Sequence, residues 1–160
     1  YPQLDQLFAN NGSATFVPVT ADAGPGMALA AVSRGAAFAD IENDGDLDAF
    51  IVNNNQRPFL LRNDGGNRNH WIAVKAVGRV SNRDGIGARI KVVSGDLVQI
   101  EEVRSGSSYL SQNDVRVYFG LGQRATVDRV EIRWPSGIVQ TLDGMAIDCI
   151  HRVEEPETSG

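Results

Sequence analysis

The chain is poor in the residues that build cross-links. Its 160 residues include one cysteine, Cys149, and two histidines, His70 and His151. One cysteine excludes an internal disulfide framework and any cysteine-cluster metal site. Two histidines leave little material for a zinc centre. No apolar run approaches the ~18–20 residues of a membrane-spanning helix, so no transmembrane segment is expected. A basic surplus is also missing. The net charge is −5, which argues against a nucleic-acid surface. Apolar residues make up 42% and charged residues 22%, which excludes disorder, collagen and coiled coil as the main organisation. One or two small domains are expected. The chain opens on Tyr1 without the charged-then-apolar pattern of a leader, so a signal peptide has been removed or the chain is a piece of a longer one.

The charge is concentrated. Residues 1–66 hold eight acids against Arg34, Arg57 and Arg62, which equals the whole net charge. Residues 67–160 hold 12 acids and 12 bases and are neutral. Five acids fall between Asp40 and Asp48 with no base among them. That pattern suits a bound cation.

The dominant hydrophobic period is two. In VDRVEIRW, Val130, Ile132 and Trp134 share one face, and Arg129, Glu131 and Arg133 the other. VRVYF sets Val115, Val117 and Phe119 against Arg116 and Tyr118, and ARIKV opposes Ile90 and Val92 to Arg89 and Lys91. These read as half-buried strands. Turn clusters such as NNGS, ENDGD, NDGGN, NRDG and PSG separate them. TADAGPGMALAAV is broken as a helix by Gly24, Pro25 and Gly26. The expected fold class is therefore all-β. LFANNG at Leu7–Gly12 is echoed by LLRNDG at Leu60–Gly65, and Asn10 and Asn63 are 53 residues apart. That interval fits a propeller blade of four short strands. Only one full interval is present, so this chain cannot close a propeller alone. A domain boundary is expected near residue 66.

The acidic stretch reads D-I-E-N-D-G-D-L-D from Asp40 to Asp48. Acids at positions 1, 3, 5 and 9, with glycine at 6, are what an oxygen-coordinated calcium requires. Position 7, Asp46, would lend its backbone carbonyl. Position 12 is Ile51, so this is not an EF-hand, and the flanks AAFAD and LDAFIVN read as strands. An all-oxygen donor set favours calcium over zinc or copper; magnesium prefers a tighter, wetter shell. The alternative is an acidic solvated turn without metal.

ATFVPVT, RGAAFADIENDGDLDAFIVNN and LLRNDGG resemble the FG-GAP or VCBS-type repeat of integrin-like β-propellers. NHWIAVK, SNRDGIGARI, EEVRSGSSYLSQND, VYFGLG, VEIRWPSG and VQTL resemble the ASPIC/UnbV domain. Together the two resemblances cover about residues 5–153. They imply a propeller-type repeat segment with a calcium loop at 1–66, an antiparallel β-sandwich at 67–154 and a polar tail at 155–160. The same pairing occurs in secreted proteins such as the cartilage acidic proteins and in many bacterial proteins. The repeat resemblance implies calcium ligation by Asp40, Glu42, Asp44, Asp46 (through its carbonyl) and Asp48. Glu42 departs from the usual Asp. The ASPIC/UnbV resemblance brings no defined biochemical activity with it.

Arg104–Asp114, RSGSSYLSQND, gathers hydroxyls and amides around Tyr109. Arg104, Ser107, Ser108, Tyr109 and Asn113 are candidate sugar or peptide contacts; the competing reading is a long β-connection tied to the scaffold. Trp71 and Trp134 read first as core residues. Catalytic residues are not expected. Cys149 and His151 stand two apart on a late apolar strand, a poor setting for an activated thiolate. No serine lies in a nucleophile-elbow pattern. The expected function is a non-catalytic, calcium-stabilised interaction or adhesion module, extracellular, at the cell surface or periplasmic. Unpaired strand edges in residues 1–66 would be satisfied by protein partners or self-assembly. Carbohydrate binding through the 104–114 loop is the alternative.

Overall fold

A computed structural model describes residues 1–157. The strands are β1 (Gln3–Leu4), β2 (Phe8–Asn10), β3 (Phe16–Pro18), β4 (Ala30–Ala31), β5 (Ser33–Ala39), β6 (Asp48–Asn53) and β7 (Phe59–Leu61). They continue with β8 (His70–Val77), β9 (Arg89–Ser94), β10 (Leu97–Glu102), β11 (Val117–Gly122), β12 (Arg129–Arg133), β13 (Val139–Asp143) and β14 (Ile150–Glu154). The Gly24–Pro25–Gly26 region forms short 3-10 turns at Thr20–Asp22 and Pro25–Ala28. The chain is all-β with no α-helix among the described residues, and no helix is long and apolar enough to cross a membrane.

The first seven strands make small separate sheets: β1 with β4, β2 with β3, and β5-β6-β7. They do not close a propeller. The β5-β6-β7 meander is antiparallel and carries the acidic loop as its first connection. Apolar burial is sparse here; Ala31 and Ile51 are the buried apolar side chains before residue 67 among the described residues.

The rest forms a two-sheet sandwich, with β10-β9-β12-β13 facing β11-β8-β14. Period two puts Ile72 and Val74 of β8, Ile90 and Val92 of β9, Phe119 and Leu121 of β11, and Val130 and Ile132 of β12 into one core with Trp134. Each such side chain contributes roughly 1.5–3 kcal/mol on burial. The PSG turn closes as expected, with Trp134 N–H donating to Ile138 O and Gly137 N–H to Trp134 O, both at 2.9 Å. Trp134 is core, 2% exposed.

Three expectations need correction. The sandwich is not wholly antiparallel, because β14 runs parallel to β8. The chain leaves β13 in one sheet and crosses to the edge of the other, where the connection sets its direction. The strand read as VRVYF begins only at Val117, because Arg116 is drawn into contacts with the acidic loop. The polar tail is not free at its start, since Glu155 is 1% exposed. Residues 158–160 lie outside the described residues.

Glu155 follows β14 and sits in a nest of donors. Its Oε2 accepts from the backbone N–H groups of Arg79 (2.9 Å), Val80 (2.9 Å) and Ser81 (2.7 Å). Its Oε1 accepts from the hydroxyls of Ser81 (2.8 Å) and Ser136 (2.5 Å). Burial alone would raise its pKa, but the Ser136 hydroxyl and the amides and hydroxyl of Arg79 and Ser81 outweigh it and hold the group at about 2, against an ordinary 4.5. The carboxylate thus ties the end of the last strand to the β8–β9 connection and the β12–β13 turn.

Because this pKa is depressed, the stability it gives is complete above 4.5 and is lost as pH falls from there toward 2. Glu155→Ala, which strands three buried N–H groups, is expected to cost about 3 kcal/mol. Glu155→Gln is expected to flatten the acid limb of a stability-versus-pH curve. An unchanged acid limb in urea titrations between pH 5 and 2 would contradict this role.

Candidate cation-binding loop at the sandwich face

The pattern of β8 departs from simple alternation, since Trp71, Ile72, Ala73 and Val74 are all buried. Ile72 and Val74 face the sandwich core. Trp71 and Ala73 lie on the opposite face, where the acidic loop packs on Trp71. Gly45 is the point of closest approach. It adopts φ +97°, and a Cβ there would stand 1.9 Å from Trp71 Cε2. Only glycine tolerates both the left-handed backbone and the contact. Trp71 also stacks on Tyr118 of β11, with ring centroids 6.1 Å apart.

Polar contacts complete the docking. Tyr118 O–H donates to Asp40 Oδ2 at 3.2 Å. Arg116 donates to Asp40 O at 2.9 Å and to Asn43 Oδ1 at 2.5 Å, and it pairs with Asp114. Its guanidinium lies 5.6 Å from the Tyr118 ring centroid, a cation–π arrangement. Burial, chiefly, pushes the Tyr118 phenol up, with Arg116 opposing. Asn67 Nδ2 donates to Asp44 O at 3.1 Å.

The five acids are treated unequally. Asp40, Asp46 and Asp48 are buried, while Glu42 and Asp44 are exposed. Asp40 Oδ1 and Oδ2 accept from Asp44 N–H and Gly45 N–H, each at 3.0 Å. Asp48 Oδ1 and Oδ2 accept from Asn63 N–H (2.9 Å) and Ile41 N–H (3.2 Å). Asp46 is 3% exposed, yet both its carboxylate oxygens are buried without a hydrogen-bond partner. Desolvation, and then the charge of Asp44, push its pKa up. The Gly66 amide, close by, offsets this only in part and does not reach hydrogen-bond geometry. Glu42 is also pushed up, by desolvation and then by its contact with Asp48, with Arg62 opposing.

Among the described residues no three His, Cys, Asp or Glu side chains are gathered into a ready-made metal-holding group. The loop therefore does not present a closed shell. The donor set is nonetheless all oxygen, and Asp46 has two buried acceptors to spare. It is the Asp46 side chain, rather than the expected carbonyl, that stands out.

The 104–114 loop is tied to the first half of the chain through Asn113 and Asp114. Ser107 Oγ accepts from Asn113 Nδ2 at 2.7 Å, and Asn113 Oδ1 accepts from Phe38 N–H at 3.0 Å. Asp114 N–H donates to Phe38 O at 2.9 Å. The loop thus covers the outer edge of β5. Arg104 faces Glu101 at 3.5 Å, and Ser108 bridges Ser111. Arg104, Ser107, Ser108 and Tyr109 are exposed, Tyr109 at 68%, and Asn113 is half-buried. Cys149 Sγ lies 3.2 Å from His151 Nε2, but that nitrogen is also 2.8 Å from Ala146 O. An Nε2–H that donates to a carbonyl has no lone pair for the thiol proton.

The sequence profile of the family described as ASPIC and UnbV matches residues 78–160, just over half of the chain. The chain belongs to the ASPIC and UnbV family. No curated protein matches it. The ASPIC and UnbV region contains β9 to β14, and so contributes Asp114, Arg116, Tyr118 and Glu155. Residues 1–77 lie outside the match, so the repeat resemblance there rests on its own motifs. The acidic loop therefore docks on a face that the ASPIC and UnbV region builds jointly with β8.

Gly45→Ala is expected to cost about 3 kcal/mol or more, combining left-handed strain with overpacking against Trp71. Gly12 has φ +80° and nothing within 4 Å of its would-be Cβ. Gly12→Ala should therefore cost about 1 kcal/mol. Equal losses for the two variants in denaturant titrations would contradict the packing role of Gly45.

Proposed function

We propose that the chain is a non-catalytic extracellular, cell-surface or periplasmic interaction module in which calcium stiffens the junction between a blade-like segment and the ASPIC and UnbV sandwich. The observation that carries this reading is the buried, unpartnered carboxylate of Asp46 beside Asp44 and Asp48. A buried carboxylate without donors costs several kcal/mol unless it is neutralised. Asp40, Glu42, Asp44, Asp46 and Asp48 are the residues that would hold calcium, and its charge would offset their mutual repulsion. Asp40 and Asp48 keep a second lone pair on each oxygen beyond their backbone bonds. Loops of this kind in extracellular modules bind calcium at roughly 10⁻⁴–10⁻³ M, a range suited to the exterior of cells.

The interaction role is supported by exposed apolar surface. The chain exposes 9900 Å², against roughly 7,800 Å² for a compact monomer of its mass. The excess of about 2,000 Å² is what a large protein interface hides. Exposed apolar side chains on one sheet are candidates for that surface: Phe50, Val52 and Leu60 of β5-β6-β7 are 44%, 46% and 59% exposed. The loop from Arg104 to Asp114 covers the β5 edge, which leaves the β7 edge open for strand addition by β-rich protein structure.

Thermal unfolding with millimolar calcium and then with chelator tests the reading. At a hundredfold excess over Kd, binding adds about 2.7 kcal/mol, a rise of about 5–10 °C for a chain of this size. Asp46→Asn is expected to raise the melting temperature in chelator, by relieving the raised-pKa carboxylate, and to abolish the calcium increment. No calcium increment in the wild-type protein would sink the calcium assignment. Sedimentation of the same samples should show concentration-dependent association that weakens in the Phe50→Ser, Leu60→Ser double variant; an ideal monomer at all concentrations contradicts the interaction surface.

A further inference from the structure

Beside the acidic loop, on the outer face of the β11-β8-β14 sheet, lies an open groove of about 580 Å³. That volume is in the range of small-ligand sites. Its walls are formed largely by side chains that are each pinned at one end. Asn67 spends its Nδ2 on Asp44 O at 3.1 Å. Asn69 accepts from Gln123 Nε2 through Oδ1 at 2.6 Å. Asn43 accepts from Arg116 through Oδ1 at 2.5 Å. His70 Nδ1 meets Asp148 Oδ2 at 2.8 Å. Each therefore keeps a defined second function without a protein partner among the described residues: Asn67 Oδ1, Asn69 Nδ2, Asn43 Nδ2 and His70 Nε2.

The backbone beneath two of these walls is strained. Asn43 and Asp148 have φ +60° and +57°, an uncommon conformation for non-glycine residues. Asp148 is locked there by Trp71, which donates its N–H to Asp148 Oδ1 at 3.1 Å and accepts from Asp148 N–H at 2.7 Å. Strain held in place by surrounding structure is a mark of ligand sites. Immobilised polar groups also lose little entropy on binding.

The chemistry of the ligand follows from the mix. The lining residues offer two amide donors, one amide acceptor and one imidazole nitrogen. A phosphate or carboxylate calls for donors only, and would meet the Asp44 and Asp148 carboxylates with Arg68 as the one cation in the lining. An apolar ligand would strand every one of these atoms. A hydroxyl group donates and accepts at once and suits all four. Trp71 lines the groove but is 8% exposed, under Gly45, so it offers no open stacking platform.

We propose that this groove binds a saccharide through the edge of its ring hydroxyls, held by Asn43, Asn67, Asn69 and His70. The site is separate from the 104–114 loop and does not rest on calcium binding. Saturation-transfer NMR on the full chain, in the presence of calcium, tests it. The probes are glucose, galactose, mannose, N-acetylglucosamine, disaccharides of each, and inorganic phosphate as an anion control. At least one saccharide is expected to bind with Kd on the order of 1–10 mM. Asn69→Ala and His70→Ala should each weaken it about tenfold or more while lowering the melting temperature by no more than about 5 °C, while Tyr109→Ala and phosphate leave it unchanged. Absence of binding by every saccharide, binding that survives both groove variants, loss on Tyr109→Ala, or displacement by phosphate would each overturn the proposal.

Discussion

The approach of Gly45 to the indole of Trp71 governs how this chain is put together. A missing Cβ at one position lets a loop carrying five acids lie flat on an outer sheet face. With that contact made, Arg116 and Tyr118 come within reach of Asp40, and Asn67 within reach of Asp44. The contact also covers Trp71, which is buried on a side of β8 that would otherwise face water. The segment before residue 67 has almost no apolar core, so its position depends on this docking and on the 104–114 loop that covers β5.

Two buried carboxylates show how the same chain handles the same problem in opposite ways. Glu155 is surrounded by three backbone amides and two hydroxyls and stays ionised down to about pH 2. Asp46 is as deeply buried, has no donor on either oxygen, and lies next to other carboxylates. The first arrangement stabilises a fold by itself. The second is costly as it stands and becomes favourable with a cation. Under the proposed function, this contrast separates a structural carboxylate from one that would serve a cation.

Much of the sandwich is legible in the sequence because period-two patterning and turn residues act locally. ARIKV, VDRVEIRW and the PSG turn lie where alternation places them. Their outward partners are not legible in the same way. Alternation puts Arg116 and Tyr118 opposite Val117 and Phe119, but nothing local says that a loop 73 to 78 residues earlier contacts them. The acidic loop is conspicuous by composition, yet composition does not reveal that Asp40 and Asp48 are occupied by backbone amides while Asp46 is not. Glu155 looks like part of a frayed end, because its donors come from Arg79–Ser81 and Ser136, far away in the chain. The parallel pairing of β14 is hidden for the same reason. His70 and Asp148 are 78 residues apart, and their pairing depends on β8 and β14 being neighbours.

In the proposed function, the acidic loop is a cation site coupled to the sandwich through Trp71. The indole N–H resonances of Trp71 and Trp134 report on it directly, since one ring lies under the loop and the other is in the core. In a calcium titration followed by NMR, the Trp71 resonance should shift and saturate, while that of Trp134 stays in place. If neither resonance moves up to several times the millimolar range expected for such loops, the loop does not bind calcium and the account fails.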